Sequence, residues 1–470
     1  MAKHKIALVV LALVGVPFFL ASCKGTEPGA AAGGDELRVV KVEGEAVCYN
    51  YTLAPFSWMV SEKGRPAGLL ARDGDILIFV GNQKDGFSLS LRYQATDGTA
   101  LAVAFEGGRM LLGGKTVSVV LKDKETWDWL RQASEEDLKD LRLLQVDKSV
   151  DAAHREILKK VAKVNPAIAL SLEPGGSPPA TEEGGAAPVA VGPDEVLHLF
   201  RPRFLAAPAQ LISKEVEQIR PALQNVEVLI LNNNEKGESL DFLVHLPRLR
   251  TLVLSNWSPE QAPLPKGLKN LRSLVLFGDK SLADLSPLAD LTQLEQLTLV
   301  EGNVEDVGGL AKLPRLKTLS LTACEKVADL GPLKNLPLEY LSFPPKISQE
   351  TFDATVKDHP ALKAVELFNC ENVKDVAALK SLKNLEALVL IKPAFEGDKP
   401  LADLKELKGL RLLVLPPWNE SSAAEIADLQ KALPDCLITA GKPLCLGSGW
   451  ILLLAPVAAG AWLVSRRRRG

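Results

Sequence analysis

The chain has 470 residues, of which 47% are hydrophobic, 24% charged and 5% aromatic, with a formal charge of −3. That length and apolar content exclude a single small domain and exclude disorder through the bulk of the chain. Lys3, Lys5 and Arg466 to Arg469 are six positive charges at the two ends, so the rest carries about −9, the wrong sign for a nucleic-acid binder.

Residues 1–22 open with Lys3, His4 and Lys5 and continue into the apolar run Ile6 to Leu20, the layout of a secretory signal. The end of this run, Leu20-Ala21-Ser22-Cys23, resembles the bacterial lipobox. The resemblance implies a lipoprotein whose mature first residue is Cys23, acylated on its thiol. Each buried CH₂ of an acyl chain contributes about 0.8 kcal/mol, so several chains hold a protein firmly to a membrane. Lys24 rather than Asp follows the cysteine, which in the Gram-negative pattern favours the outer membrane. The expected address is therefore the bacterial cell envelope, outer membrane or surface ahead of inner membrane. Residues 23–35, rich in Gly and Ala, suit a flexible tether.

From 36 to 123 apolar residues alternate with polar ones, as in Leu37 to Val42, Asp75 to Val80, Ser88 to Tyr93 and Thr116 to Leu121. Asp73-Gly74, Asp97-Gly98, Gly107-Gly108 and Gly113-Gly114 punctuate these runs. The pattern predicts a small all-β domain, sandwich or barrel-like. Residues 124–225 read as a helical connection with irregular first repeats. Leu144/Val146, Leu170/Leu172 and Leu197/Leu199 are the predicted strand pairs, with helical arms at Asp151 to Lys163 and Ser213 to Leu223. Within it, residues 174–193 carry Pro178-Pro179 and Gly184-Gly185 without an apolar period and predict an unstructured surface excursion.

Internal periodicity dominates residues 226–440. Apolar pairs at i and i+2 recur as Leu229/Leu231, Leu252/Leu254, Leu274/Leu276, Leu297/Leu299, Leu319/Leu321, Leu341/Phe343, Val365/Leu367, Leu388/Leu390 and Leu413/Leu415, at steps of 22 to 25 residues. Most carry another leucine three residues earlier, giving L-x-x-L-x-L, as at Leu249, Leu271, Leu294 and Leu316. This pattern is similar to that of the leucine-rich repeat family. The resemblance implies an α/β leucine-rich repeat solenoid, a curved parallel sheet preceded by the small all-β domain. A single repeat cannot cover its own leucines; stacking makes the core continuous. Three residues beyond the second strand leucine stand Asn234, Asp279, Cys324 and Cys370, where the family bonds adjacent turns, while Trp257, Gly302, Lys346, Pro393 and Trp418 depart from this.

The return arms are of two kinds. Ser281 to Leu288 and Val327 to Leu333 are similar to the short arms of internalin-like repeats, whereas Ser348 to His359 and Ser422 to Leu433 predict helices, the latter with a capping box of Ser422 and Glu425. At the far end, residues 447–465 form an apolar run and 466–470 an arginine-rich tail. The run predicts a transmembrane helix or a sorting segment, with the arginines on the cytoplasmic side.

Candidates for chemistry are few. Cys324 and Cys370 lie a whole coil apart, too far for a disulfide, and read as buried ladder residues; Cys436 and Cys445 could pair. The five histidines show no metal spacing, and no nucleotide or nucleophile motif stands out. No cofactor and no metal are expected. The candidate site is instead the concave face, made by residues between and just after the strand leucines: Val253, Val275, Phe277, Val300, Phe368, Val389 and Ile391. An apolar patch there marks an interaction surface. The expected function is non-catalytic binding of a protein or peptide by a chain held to a membrane through its amino-terminal lipid and, if the end run is a retained helix rather than a cleaved sorting segment, through that helix as well. Two alternatives stand beside it: the amino-terminal β-unit folds over this face, or that unit has a carbohydrate-binding or catalytic role with the repeats as scaffold.

Overall fold

The structure is a computed structural model. It describes short strands between 12 and 92, then residues 100–440 apart from 173–192 and several short turns, with side chains described from Glu106 onward. The predicted lipidation site Cys23, the predicted tether and insert, and the carboxy-terminal segment lie outside the described residues. Among the described residues no helix is long and apolar enough to cross a membrane.

Near the amino terminus Val39–Lys41, Val47–Tyr49, Ser57–Glu62, Arg65–Asp73 and Ile76–Gly81 pair in succession, all antiparallel. Ser88–Arg92, Ala100–Glu106 and Arg109–Leu112 form a second antiparallel run that leads into Lys115–Leu121. From there the pairing changes. Lys115–Leu121 lies parallel to Leu143–Val146, so the parallel sheet starts inside the stretch that sequence assigns to the small β unit. Parallel pairing then continues coil by coil to Leu437–Ala440, and the strand order closes through Ser88–Arg92 beside that last strand.

The register follows the leucines. Leu229, Leu252, Leu274, Leu297, Leu319, Leu341, Val365, Leu388 and Leu413 are successive partners across the sheet. All nine are buried, none above 1% exposed, and they belong to one continuous apolar cluster with the arm leucines. A fully buried leucine contributes about 1.5–3 kcal/mol relative to an exposed one, so several per coil make the core additive along the stack.

One predicted strand moves. Leu197/Leu199 belong to a helix, Pro193–Leu199, and the strand is Phe204–Pro208. Pro193 at the first helical position presets φ, and Val196, Leu197 and Phe200 fall on one helical face, each no more than 1% exposed. Leu205 and Ala207 then take the inward positions. The other predicted arms form helices at Ala152–Val164, Ala209–Leu223, Gln349–Val356 and Ser421–Ala432. In the last, Glu425 accepts a hydrogen bond from Leu401 N at 2.9 Å and so serves the preceding coil. The Ser422 side chain of the predicted capping box lies outside the described residues. A reciprocal capping box stands at Ser134 and Asp137, and hydrogen bonds from Ser134 hold the Asp137 carboxyl below the usual range.

The short arms are 3₁₀ turns with one local device. Asp284, Asp306, Asp329 and Asp375 each accept from the backbone N–H two residues on, at 2.7, 2.6, 2.8 and 3.0 Å, so a carboxylate starts each turn. Gly309 is needed for packing: a Cβ there would sit 2.5 Å from the Leu285 carbonyl of the preceding coil. Where strands begin, charged side chains pair between coils: Arg203 grips Glu227 with two bonds of 3.0 Å, Arg272 meets Glu295 at 3.5 Å, and Lys317 and Lys363 flank Glu339 at 3.0 and 3.1 Å.

Candidate functional site on the concave face

Side chains alternate along a strand, so residues between the strand leucines face away from the leucine cluster. Ile230, Val253, Val275, Thr298, Ser320, Ser342, Glu366, Val389 and Val414 are register partners in one row across the sheet. The row is apolar at both ends and polar in the middle. Val253, Val275 and Val389 stand in it as the sequence places them, and none belongs to the leucine cluster. They are nonetheless only 0, 1 and 2% exposed. Phe277 pairs with Val300 and Phe368 with Ile391 at the strand ends, which sets these four predicted residues as two neighbouring pairs. Phe368 is half-buried; the side chains of Phe277, Val300 and Ile391 lie outside the described residues.

Glu366 stands in the same row, between Ser342 and Val389, and its chemistry is not legible in the repeat spacing. The carboxyl is fully buried; Tyr340 donates its hydroxyl hydrogen to Oε2, while Oε1 has no hydrogen-bond partner. Burial dominates, and the pKa is pushed up to about 8 even though the tyrosine bond favours the charged form. A glutamate between two inward apolar residues, Val365 and Leu367, in a row of hydroxyls was the signal available.

The cysteines behave as ladder residues. Cys370 Sγ donates to Pro344 O of the preceding coil at 3.6 Å. Cys324 Sγ accepts a hydrogen bond from the Gly302 backbone N–H. Both are buried free thiols, as is Cys436, and burial pushes all three up to about 12, far from the nucleophilic range. The partner considered for Cys436, Cys445, lies outside the described residues. At the departing position Trp257 fills the same space, with its Nε1 donating to Ala262 O at 2.7 Å.

Other chemical groups do not converge on the concave row. Trp127 stacks on His154 at 4.0 Å between ring centroids, Arg220 contacts His245 at 2.8 Å, and burial lowers the pKa of His359. Among the described residues no group of three His, Cys, Asp or Glu is placed to hold a metal. At the amino-terminal end a groove of about 570 Å³ is lined by Arg109, Lys124, Glu125, Asp128, Trp129 and Gln132. Arg109 lies 5.6 Å from the Trp129 ring centre, and Asp128 is engaged by Lys124 and Arg131. Asp128 is thus committed to ion pairs at an exposed surface.

No protein-family model and no curated protein matches the chain. Solved structures do. An internalin of Listeria monocytogenes is 17% identical over 67% of this chain and 92% of its own, with a TM-score of 0.37. A leucine-rich repeat protein of Leptospira interrogans is 17% identical over 68% and 94%, with a TM-score of 0.33. The Drosophila Toll–Spatzle complex aligns over 78% of this chain and 59% of that one, at 12% identity and a TM-score of 0.38. On its own register, its buried leucine line and its 22- to 25-residue coils, the chain is a leucine-rich repeat solenoid.

Proposed function

We propose that the chain is an exported, lipid-anchored scaffold that binds a protein or peptide along its concave face without chemical turnover. The observation that carries this is the second apolar face. Ile230, Val253, Val275, Val389 and Val414 point away from the leucine cluster, and at the end of this face Phe368, paired with Ile391, is left half-buried. Apolar surface beyond what a fold requires marks a contact surface. The Leu20-Ala21-Ser22-Cys23 motif and the arginine-ended carboxy-terminal run support an envelope address with membrane attachment at Cys23.

A second reading rests on burial. Since Val253, Val275 and Val389 are covered within a single chain, the concave face is a second internal core, and the β-rich amino-terminal part supplies its cover. Site-specific photocrosslinking in cells separates the two. A crosslinker at Phe368 is expected to give a protein adduct that one at exposed Ala311 on an arm does not, and Phe277→Glu is expected to reduce that adduct at least tenfold. A product confined to this chain's own residues would replace partner binding with the closed core. Mass spectrometry of the mature protein is expected to show Cys23 acylated at the amino terminus; an unmodified Cys23 would remove the lipoprotein part of the proposal.

A further inference from the structure

Because all strands of a parallel sheet run in one direction, every turn entering a strand lies on one rim of the solenoid and every turn leaving a strand lies on the other. The two rims differ in charge. Entering turns carry exposed Arg248, Lys269, Lys312, Arg315, Lys334 and Lys383, while leaving turns carry exposed Glu260, Asp284, Glu305, Asp306, Glu350 and Glu371. Among the described residues the exceptions are Asp290, Asp358, Glu406 and Asp435 on the basic rim, and Lys326, Lys346 and Lys374 on the acidic rim, of which Lys326 and Lys346 are paired to Glu305 and Glu325 at 2.8 and 3.0 Å.

We propose that this basic rim docks a second copy of the chain through that copy's acidic rim, so that solenoids associate rim to rim. This goes beyond binding at the concave face and does not depend on it. The partner is chosen by charge complementarity, since one molecule displays both surfaces. It is also chosen by spacing, because both rims repeat once per coil at the strand separation of about 4.8 Å, and two copies bring rows of equal period together. An anionic membrane would account for the basic rim alone and leave the acidic rim unexplained. Such a contact joins unlike surfaces, so a third copy adds as the second did and assembly is open-ended. Exposed charges more than a Debye length apart are screened by salt, so the association is salt-sensitive.

Light scattering on the full chain in one detergent tests this. The average mass is expected to rise at least twofold over the monomer at about 20 mM salt and to return to monomer at about 1 M, where the Debye length falls to about 3 Å. A basic-rim variant (Lys269→Glu, Lys312→Glu, Arg315→Glu, Lys383→Glu) and an acidic-rim variant (Glu260→Lys, Glu350→Lys, Glu371→Lys) are each expected to stay monomeric. Mixing the two is expected to restore association, because one variant then has two acidic rims and the other two basic ones. The aspartates that start the 3₁₀ turns are left intact, and unchanged thermal midpoints would show that both variants fold. A wild-type chain that stays monomeric at low salt overturns the proposal, even if it binds anionic phospholipid vesicles. Single variants that associate as wild type does, or a mixture that remains monomeric, overturn it equally.

Discussion

Replacing Glu366 by glutamine is expected to stabilise the protein at pH 7 and above and to leave it unchanged near pH 4. The ordinary carboxyl value is 4.5 and burial raises it to about 8 in the folded state, so between those values the native form holds a proton that the unfolded form has released. Stability then falls as pH rises through that window and is flat for this group above about 8. Each unit of difference is worth about 1.4 kcal/mol, so at pH 7, 2.5 units above the ordinary value, the glutamate costs on the order of 3–4 kcal/mol. Glutamine keeps the shape, accepts from the Tyr340 hydroxyl and has no proton to lose. Urea unfolding of both chains from pH 4 to 9 should give curves that coincide in acid and diverge steadily above about pH 5. Curves that run parallel across the whole range would show that Glu366 titrates normally. The comparison with glutamine isolates this group from Asp137, Asp284 and Asp128, whose lowered values act in the opposite sense at acid pH.

Leu319→Ala is expected to cost about 2–5 kcal/mol, the usual range for a buried leucine whose cavity does not collapse. Leu319 is 0% exposed and stands between Leu297 and Leu341 in the line of leucines. Domain stability is about 5–15 kcal/mol in total, so this one change approaches the whole margin. Coils contact only their neighbours, so the damage should be local before it is global. Hydrogen exchange should accelerate most in Gln296–Val300, Thr318–Ser320 and Tyr340–Phe343, and least in Leu412–Leu415. Ala311→Ser, on an exposed arm, should stay within about 0.5 kcal/mol of the parent. Uniform acceleration along the array would mean that it unfolds as one cooperative block rather than as a stack.

The leucine line was legible because it is periodic and local. L-x-x-L-x-L puts a leucine at each inward strand position, and Leu252, Leu274 and Leu297 pair across the sheet in the register that spacing predicts. Leu197/Leu199 misled because two leucines at i and i+2 also fit one turn of a helix, and the Pro193 start signal outweighed them. The beginning of the array was hidden at Lys115–Leu121, since the same alternation serves an antiparallel partner on one side and a parallel one on the other. The concave row could be named by position, but its burial depends on contacts far away in the chain, which local spacing does not carry. Glu366 was hidden for the same reason: its raised pKa comes from loss of water and not from its neighbours in sequence.

The charged pairs at the strand starts bear on how the array assembles. Glu295, Lys317, Glu339 and Lys363 alternate in sign from one coil to the next, as do Glu386 and Arg411 beyond them. Had a coil skipped its neighbour and stacked on the following one, the leucines would still meet leucines and offer little objection. The charges would not permit it, since Glu295 would then face Glu339 and Lys317 would face Lys363. Alternation therefore acts as a parity check on counting, penalising a chain that has lost its place by one turn among near-identical modules.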